Sequence, residues 1–194
     1  VLTDPSYAAQ IVTFTFPHVG NVGVNEDDIE TLNLAAEARV AGAVFKADIT
    51  APSNWRATRH FDDWLKARGI VAVSGVDTRA LTALIREKGL ANAVIARDPA
   101  GRFDIDALKK LAAGWKGLMG ADLAIDVTSG QSSTWDDLPW NWSGTQEKLD
   151  PANADFHIVA VDYGIKRNIL RLLAGLGAKV TVLPATATAQ EILS

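Results

Sequence analysis

The hydrophobic pattern is most regular in the last third of the chain. Residues 156–162 (FHIVAVD) are almost continuously apolar, which is typical of a strand buried on both faces of a parallel sheet. The next segment repeats apolar residues at helical spacing, and a second apolar run, KVTVLP, follows it. The helical positions are Ile165, Ile169, Leu172, Leu173 and Leu176. With Thr188 as the next helix cap, this pattern predicts a βαβα unit with a right-handed crossover.

The beginning of the chain alternates in hydrophobicity instead. Residues 10–16 place Val12, Phe14 and Phe16 on one face and threonines on the other, which predicts a half-buried strand that Pro17 ends. The further elements predicted before residue 127 are a short helix at 26–30 capped by Asn25, a strand within 38–48, a helix at 60–68, a strand at 70–73, a helix from Asp77 to Gly89, a strand at 90–96, a helix at 104–111 and a second short helix after 116. The alternation of strands and helices predicts an α/β protein.

A rigid turn precedes the first strand. Pro5 restricts its own φ angle and favours extended geometry at Asp4. The side chains of Asp4 and Ser6 can fold back onto nearby backbone N–H groups. The segment 2–7, LTDPSY, is therefore predicted to be a rigid turn.

Residues 127–155 differ in character from the rest. They are rich in Ser, Thr, Gly, Asp and Pro, which predicts a hairpin-bearing connection or linker. The tryptophans in this stretch could form a sugar-binding surface, but anchoring a linker to a domain is their commoner role. They are Trp135, Trp140 and Trp142.

Composition and charge narrow the functional classes. The net charge of −4 and the lack of a basic run argue against a nucleic-acid surface. No apolar run approaches the ~20 residues of a membrane span, and no signal peptide is visible. The chain has no cysteine, which fits a cytoplasmic protein and leaves these residues without a thiolate nucleophile. The histidines at positions 18, 60 and 157 are spaced too irregularly for a metal site.

Both ends predict a piece of a longer protein. The chain starts at Val1, without a methionine, and ends at Ser194 inside an expected helix. Taken alone, the βαβα unit is compatible with a flavodoxin-like domain, a response regulator or half of a dinucleotide-binding domain. The dinucleotide interpretation fails because the turn after the first strand has one glycine, Gly164, and no G-x-G-x-x-G.

Three motifs resemble the small, glutamine-hydrolysing subunit of carbamoyl-phosphate synthase. The first is residues 2–25, LTDPSYAAQIVTFTFPHVGNVGVN, and the second is D-T-R-x-L-T-x-x-x-R-E-K-G at 77–89. The third is D-Y-G-x-K-x-N-I-x-R-x-L at 162–173, where a class I glutamine amidotransferase domain begins in that family. The resemblance covers the whole chain in the right order.

The resemblance implies a mixed β/α amino-terminal domain at 1–152 and the first βαβα of a flavodoxin-like glutamine amidotransferase domain at 153–194. It implies that Ser6 helps to hold the substrate glutamine. It also implies a large partner subunit that uses ATP and Mg, so that no cofactor is expected in this chain. The family supplies ammonia for carbamoyl phosphate in arginine and pyrimidine synthesis.

The family's catalytic cysteine, histidine and glutamate are expected outside these residues, so the chain is predicted to be inactive alone. Lys166 lies at the carboxyl end of a parallel strand, where ligands gather in open α/β sheets. We expect Lys166 and Asp4 to meet across the domain junction and to line the ammonia exit. A solvated lysine is the alternative.

Several alternatives stay open at this point. Asp77, Thr78 and Arg79 are expected to cap a helix and form a surface ion pair, or else to contact the large subunit. Trp55 and Trp115 are candidate interface anchors, although core packing is favoured. Two rival functions are a non-catalytic interaction module and a flavodoxin-like nucleotide or phosphoacceptor domain.

Overall fold

The chain folds into two units whose residues alternate along the sequence. The structure, a computed structural model, describes residues 1–33, 39–143 and 147–194. The first unit comprises Val1–Ala8, Asp27–Arg39 and Asp122–Ser194, and the second comprises Ala9–Glu26 and Val40–Ala121. The expected boundary between residues 152 and 153 stays a prediction.

The second unit contains a three-stranded parallel sheet in the order β1-β2-β3. Its elements in chain order are β1 (Ile11–Thr13), β2 (Gly42–Val44), α1 (Phe61–Ala67), β3 (Val71–Val73), α2 (Thr78–Lys88) and α3 (Ile105–Gly114). Ile11 is in register with Gly42, and Gly42 with Val71. All three strands are short, and β2 is the only one of them whose residues are all buried.

Aromatic side chains form the core beside this sheet. The buried ring of Phe45 lies 5.3 Å from Phe14 and 5.8 Å from Phe61, measured between centroids. Phe61 in turn stacks on Trp64 at 6.0 Å. Such pairs are worth about 0.5–1.5 kcal/mol beyond their buried area. This cluster explains why α1 packs beside the sheet.

The helix boundaries follow their capping residues. Asp77 Oδ1 accepts a hydrogen bond from Ala80 N at 3.1 Å, and Asp104 Oδ1 accepts one from Ala107 N at 2.9 Å. Gly89 ends α2 with a φ of 85°. The predicted cap at Asp77 is confirmed. Thr78 is fully buried, so its side chain cannot contact another subunit.

The first unit contains a mixed sheet in the order β4-β6-β5. Its elements are α4 (Leu123–Val127), β4 (Ser133–Trp135), β5 (Phe156–Asp162), α5 (Arg167–Gly175), β6 (Ala178–Pro184) and α6 (Ala189–Leu193). β5 and β6 are parallel over seven paired positions, and β4 is antiparallel to β6. The predicted βαβα unit and the α/β class are confirmed.

The apolar core of this unit lies between α5 and the sheet. Its fully buried members are Leu170, Ala178, Val180 and Val182. Trp135 of β4 packs against them and donates its indole N–H to the carbonyl of Asp137 at 3.0 Å. Trp135 is therefore a packing residue of the sheet.

Several local predictions were wrong. The strand at 10–16 is only β1, because pairing with β2 ends at Thr13; Phe16, three residues later, is 75% exposed. The helix at 26–30 does not form. Residues 90–96 form no strand. Ile95 nevertheless packs against β2, since a β-carbon placed on Gly42 would lie 2.8 Å from Cγ2 of Ile95. Within 38–48 the strand is β2, and Ala38 lies outside the described residues.

The remaining corrections concern tryptophans and the linker. Residues 127–155 were expected to be a hairpin-bearing connection or linker. Within them Ser133–Trp135 form β4, so a plain linker is wrong there, while the antiparallel bridge between Asp137 and Lys148 agrees with the hairpin. Trp55 is 71% exposed and Trp115 is 42% exposed, so core packing is wrong for both. Within the described ranges, no helix combines the length and apolar character that a membrane crossing requires.

Candidate functional site

Asp162 organises the turn that follows β5. The residue is 1% exposed, and its Oδ1 accepts hydrogen bonds from the backbone N–H groups of Gly164 and Ile165, both at 2.8 Å. Its Oδ2 accepts a third bond, from Ser129 N at 2.7 Å. A buried carboxylate is stable only when it is well bonded. These three bonds hold the β5–α5 turn in one conformation.

Gly164 lets the amino-terminal segment approach this turn. Its φ is 95°, and a β-carbon on it would lie 3.1 Å from Cβ of Pro5 and 3.0 Å from Cγ2 of Val127. Only glycine adopts such a φ at no steric cost. The turn 162–167 and the segment 2–8 therefore pack against each other within the first unit.

The segment 2–8 contains the predicted turn. A short 3-10 helix, Pro5–Tyr7, is capped by Asp4, whose Oδ1 accepts a hydrogen bond from Ser6 N at 3.0 Å. Asp4 is 7% exposed, whereas Ser6 is exposed. The structure therefore holds Ser6, an exposed residue, on a buried turn, with its side chain hydrogen-bonded to the Asp4 carboxylate.

Lys166 and Asp4 are in contact. Lys166 Nζ lies 2.7 Å from Asp4 Oδ2, and the lysine side chain is 42% exposed while the aspartate is nearly covered. The sequence assigned these residues to different domains, but both lie in the first unit. Ser6, Asp4 and Lys166 are thus brought together, and their roles stay proposals.

The ion pair changes the pKa of both groups. Burial of Asp4 acts to raise the pKa of its carboxyl, but the hydrogen bonds from Lys166 and Ser6 outweigh it, so the pKa is lowered. The hydrogen bond to Asp4, with the charge of that carboxylate, raises the pKa of Lys166. Near neutral pH the pair is therefore a carboxylate and an ammonium.

The lowered pKa of Asp4 predicts a dependence of stability on acid. An unfolded aspartate titrates near pH ~3.9, so the ionised Asp4 stabilises the fold above that pH, and the contribution is lost as pH falls through the folded pKa. We expect Asp4→Asn to lower the free energy of unfolding by about 1 kcal/mol at pH 7. Urea unfolding from pH 7 to pH 2.5 should show this difference shrinking below about pH 4. A difference that stays constant across that range would contradict the prediction, and Asp98→Asn, at an exposed turn, is the control.

Sequence analysis missed a second set of contacts to this site. Glu30 Oε2 accepts a hydrogen bond from Asn168 N at 3.0 Å, and its carbonyl accepts one from Arg167 N at 2.9 Å. Glu30 N donates to Thr3 Oγ1 at 3.1 Å. The only local signal was the acidic run at 26–30, which was interpreted as a helix start.

The chain is similar over its whole length to known proteins. Residues 1–95 match the family model described as carbamoyl-phosphate synthase small chain, CPSase domain. The whole chain is 66% identical to the carbamoyl phosphate synthase small chain of Mesorhizobium japonicum and 62% identical to that of Agrobacterium fabrum. The chain belongs to the carbamoyl-phosphate synthase small-chain family. It covers 48% of each of these two proteins, and so spans about half the length of the curated relatives it matches.

The geometry of this small-chain segment disfavours the phosphoacceptor rival. A phosphoacceptor aspartate needs a carboxylate that a phosphate donor can reach. Asp162, at the carboxyl end of β5, is buried and occupied by three backbone N–H groups. Its role in the small-chain segment is structural.

Two of the three histidines of the small-chain segment also make structural contacts. His60 Nδ1 accepts a hydrogen bond from Asp62 N at 3.2 Å and so caps α1, and His157 Nε2 lies 2.9 Å from Thr181 Oγ1. Among the residues that the structure describes, no group of three or more His, Cys, Asp or Glu side chains could hold a metal ion.

Proposed function

We propose that this chain is part of the small chain of a cytoplasmic, glutamine-hydrolysing carbamoyl-phosphate synthase. That small chain would release ammonia from glutamine and pass it to a large, ATP- and Mg-dependent chain, for arginine and pyrimidine synthesis. The observation that carries the proposal is the alignment of all its residues with proteins named carbamoyl phosphate synthase small chain. The division at residues 152 and 153 is part of the proposal.

Ser6 is the residue that we propose contacts glutamine. Ser6 is an exposed residue whose backbone N–H donates to Asp4, and Asp4 in turn contacts Lys166. The Ser6 side chain also forms a hydrogen bond with the Asp4 carboxylate. Because a hydroxyl has two acceptor lone pairs besides its one donor, it can accept from an N–H group of the substrate while that bond is kept, without reorganising the backbone. One such neutral bond is worth about 0.5–1.5 kcal/mol.

The Asp4–Lys166 pair is proposed to lie beside the ammonia path. Its support is the 2.7 Å contact at the carboxyl end of β5, next to the Ser6 turn. Because Asp4 keeps the Lys166 side chain protonated, a positive charge stands at this point. That charge would repel ammonium ions and let neutral ammonia pass. The opposite charge on Asp4 limits that effect to the side from which Lys166 is exposed.

The cysteine nucleophile that the proposed amide hydrolysis would use is absent from these residues. The reaction needs an activated nucleophile, an oriented base and donors to the oxyanion. There is no cysteine in the chain, and Asp162 and two of the histidines have structural partners. We therefore propose that the nucleophile comes from a part of the small chain outside these residues.

Reconstitution tests the proposed activity. A full-length small chain that contains these residues, combined with its large chain, should make carbamoyl phosphate from glutamine, bicarbonate and ATP. The large chain alone should do so only from ammonium. The 194-residue chain should not restore synthesis from glutamine. Hydrolysis of glutamine by the 194-residue chain, or failure of the full-length small chain, would contradict the proposal.

A further inference from the structure

A strap of seven residues connects the amino-terminal turn to α5. We define the strap as residues 27–33, all within the first unit. Its first residue accepts a hydrogen bond from the buried side chain of Arg171, whose Nη1 lies 2.8 Å from the carbonyl of Asp27. Its last residue, Asn33, donates from Nδ2 to the carbonyl of Thr128 at 2.9 Å. The strap is therefore held at both ends, with Ile29 and Thr31 buried between them.

Glu30 lies at the middle of the strap and makes bonds in two directions. Its backbone N–H reaches Thr3 in the amino-terminal turn, while its carbonyl and its Oε2 accept from the first N–H groups of α5. These N–H groups have no partner inside a helix. Lys166, at the N-cap position, makes no side-chain cap, so Glu30 caps α5 in its place.

The contacts of Glu30 close a ring around the Ser6 turn. From Ser6 the ring passes to Asp4 by a 3.0 Å bond and to Lys166 by a 2.7 Å contact. It continues through the N-terminus of α5 to Glu30, and returns by a 3.1 Å bond to Thr3, which precedes Asp4. Each member thus limits the movement of the next.

We infer that Glu30 is a positioning residue for Ser6, which it orients through the N-terminus of α5, the Lys166–Asp4 pair and Thr3. This inference rests on the proposed contact between Ser6 and glutamine. Its carboxylate lies at the positive end of α5, where a negative charge is favourable. Removing that carboxylate takes the acceptor from Asn168 N, while the backbone bonds of Glu30 to Arg167 N and Thr3 remain. The first turn of α5, and the lysine that precedes it, are therefore loosened and not released.

The test uses the full-length small chain with its large chain. Glu30→Ala should raise the KM for glutamine about threefold to fivefold, because one charge-assisted bond supports the geometry of Ser6 indirectly. The kcat with glutamine, and the synthesis from ammonium, should change by less than about twofold, since the reacting groups are untouched. Glu30→Gln keeps an acceptor oxygen for Asn168 N and should return the KM to within about twofold of the wild type.

A double variant separates positioning from general stabilisation. If Glu30 acts through Ser6, then Ser6→Ala with Glu30→Ala should have the same KM as Ser6→Ala alone. The inference would be overturned if the KM increases of the two single variants multiplied in the double variant. An unchanged KM in Glu30→Ala, or a parallel loss of synthesis from ammonium, would also overturn it. Glu26→Ala, at an exposed acid four residues earlier in the chain, is the control. An unchanged KM in Ser6→Ala would instead remove the proposed role of Ser6, so the two failures are distinguishable.

Discussion

Asp162→Ala is expected to lower the free energy of unfolding of the 194-residue chain by at least about 3 kcal/mol, because three backbone N–H groups lose their acceptor and each unmet donor costs about 1–3 kcal/mol. The loss exceeds that of an ordinary turn residue since Asp162 is 1% exposed, and water cannot readily replace the carboxylate. The ends of β5 and of the Ser129 loop would separate with it.

Urea unfolding, followed by circular dichroism, measures this loss. Asp150→Ala is the matched control, because Asp150 also accepts from a backbone N–H two residues ahead but is exposed. The control should lose no more than about 1 kcal/mol, and Asp162→Asn, which keeps one acceptor oxygen, should fall between the two. A loss below 1 kcal/mol in Asp162→Ala would mean that the carboxylate does not organise the turn.

The elements that the sequence predicted correctly depend on local patterns. The β5–α5–β6 order follows from two apolar runs and one helical stripe, each contained within a few residues. The caps at Asp77 and Asp104 need only a side chain and an N–H three residues later. Such features can be read from sequence because both partners are neighbours.

The features that sequence analysis missed depend on distant partners. The acids at 26–30 suggest a helix locally, but Glu30 is bound to Asn168, 138 residues further along the chain. The polar strand β4 forms because Ser133–Trp135 pairs with Val180–Val182 of β6. No short-range sequence pattern predicts that pairing. Long-range bonds outweighed local preference in both segments.

The contact between Asp4 and Lys166 joins distant residues and was nevertheless predicted from the sequence. Sequence position indicated it, since Lys166 follows the carboxyl end of a parallel strand, where ligands and polar groups collect. The contact itself depends on Pro5 packing on Gly164, which a β-carbon at Gly164 would disturb. The role of the pair in an ammonia path stays a proposal.

Ser6→Ala in the full-length small chain is expected to reduce kcat/KM for glutamine by up to about tenfold, through a higher KM. The physical reason is the loss of one neutral hydrogen bond, worth about 0.5–1.5 kcal/mol, from a turn whose backbone is held independently by Asp4. The turn should therefore keep its fold, and Ser132→Ala, at an exposed serine of the same unit, should leave the kinetics unchanged.

The central claim is that the amino-terminal turn holds glutamine beside the β5–α5 turn. Steady-state synthesis of carbamoyl phosphate by Ser6→Ala, with glutamine and then with ammonium as the nitrogen source, tests it most directly. We predict a KM for glutamine that rises several-fold while the rate with ammonium is unchanged. Equal KM values for Ser6→Ala and the wild type would contradict the claim.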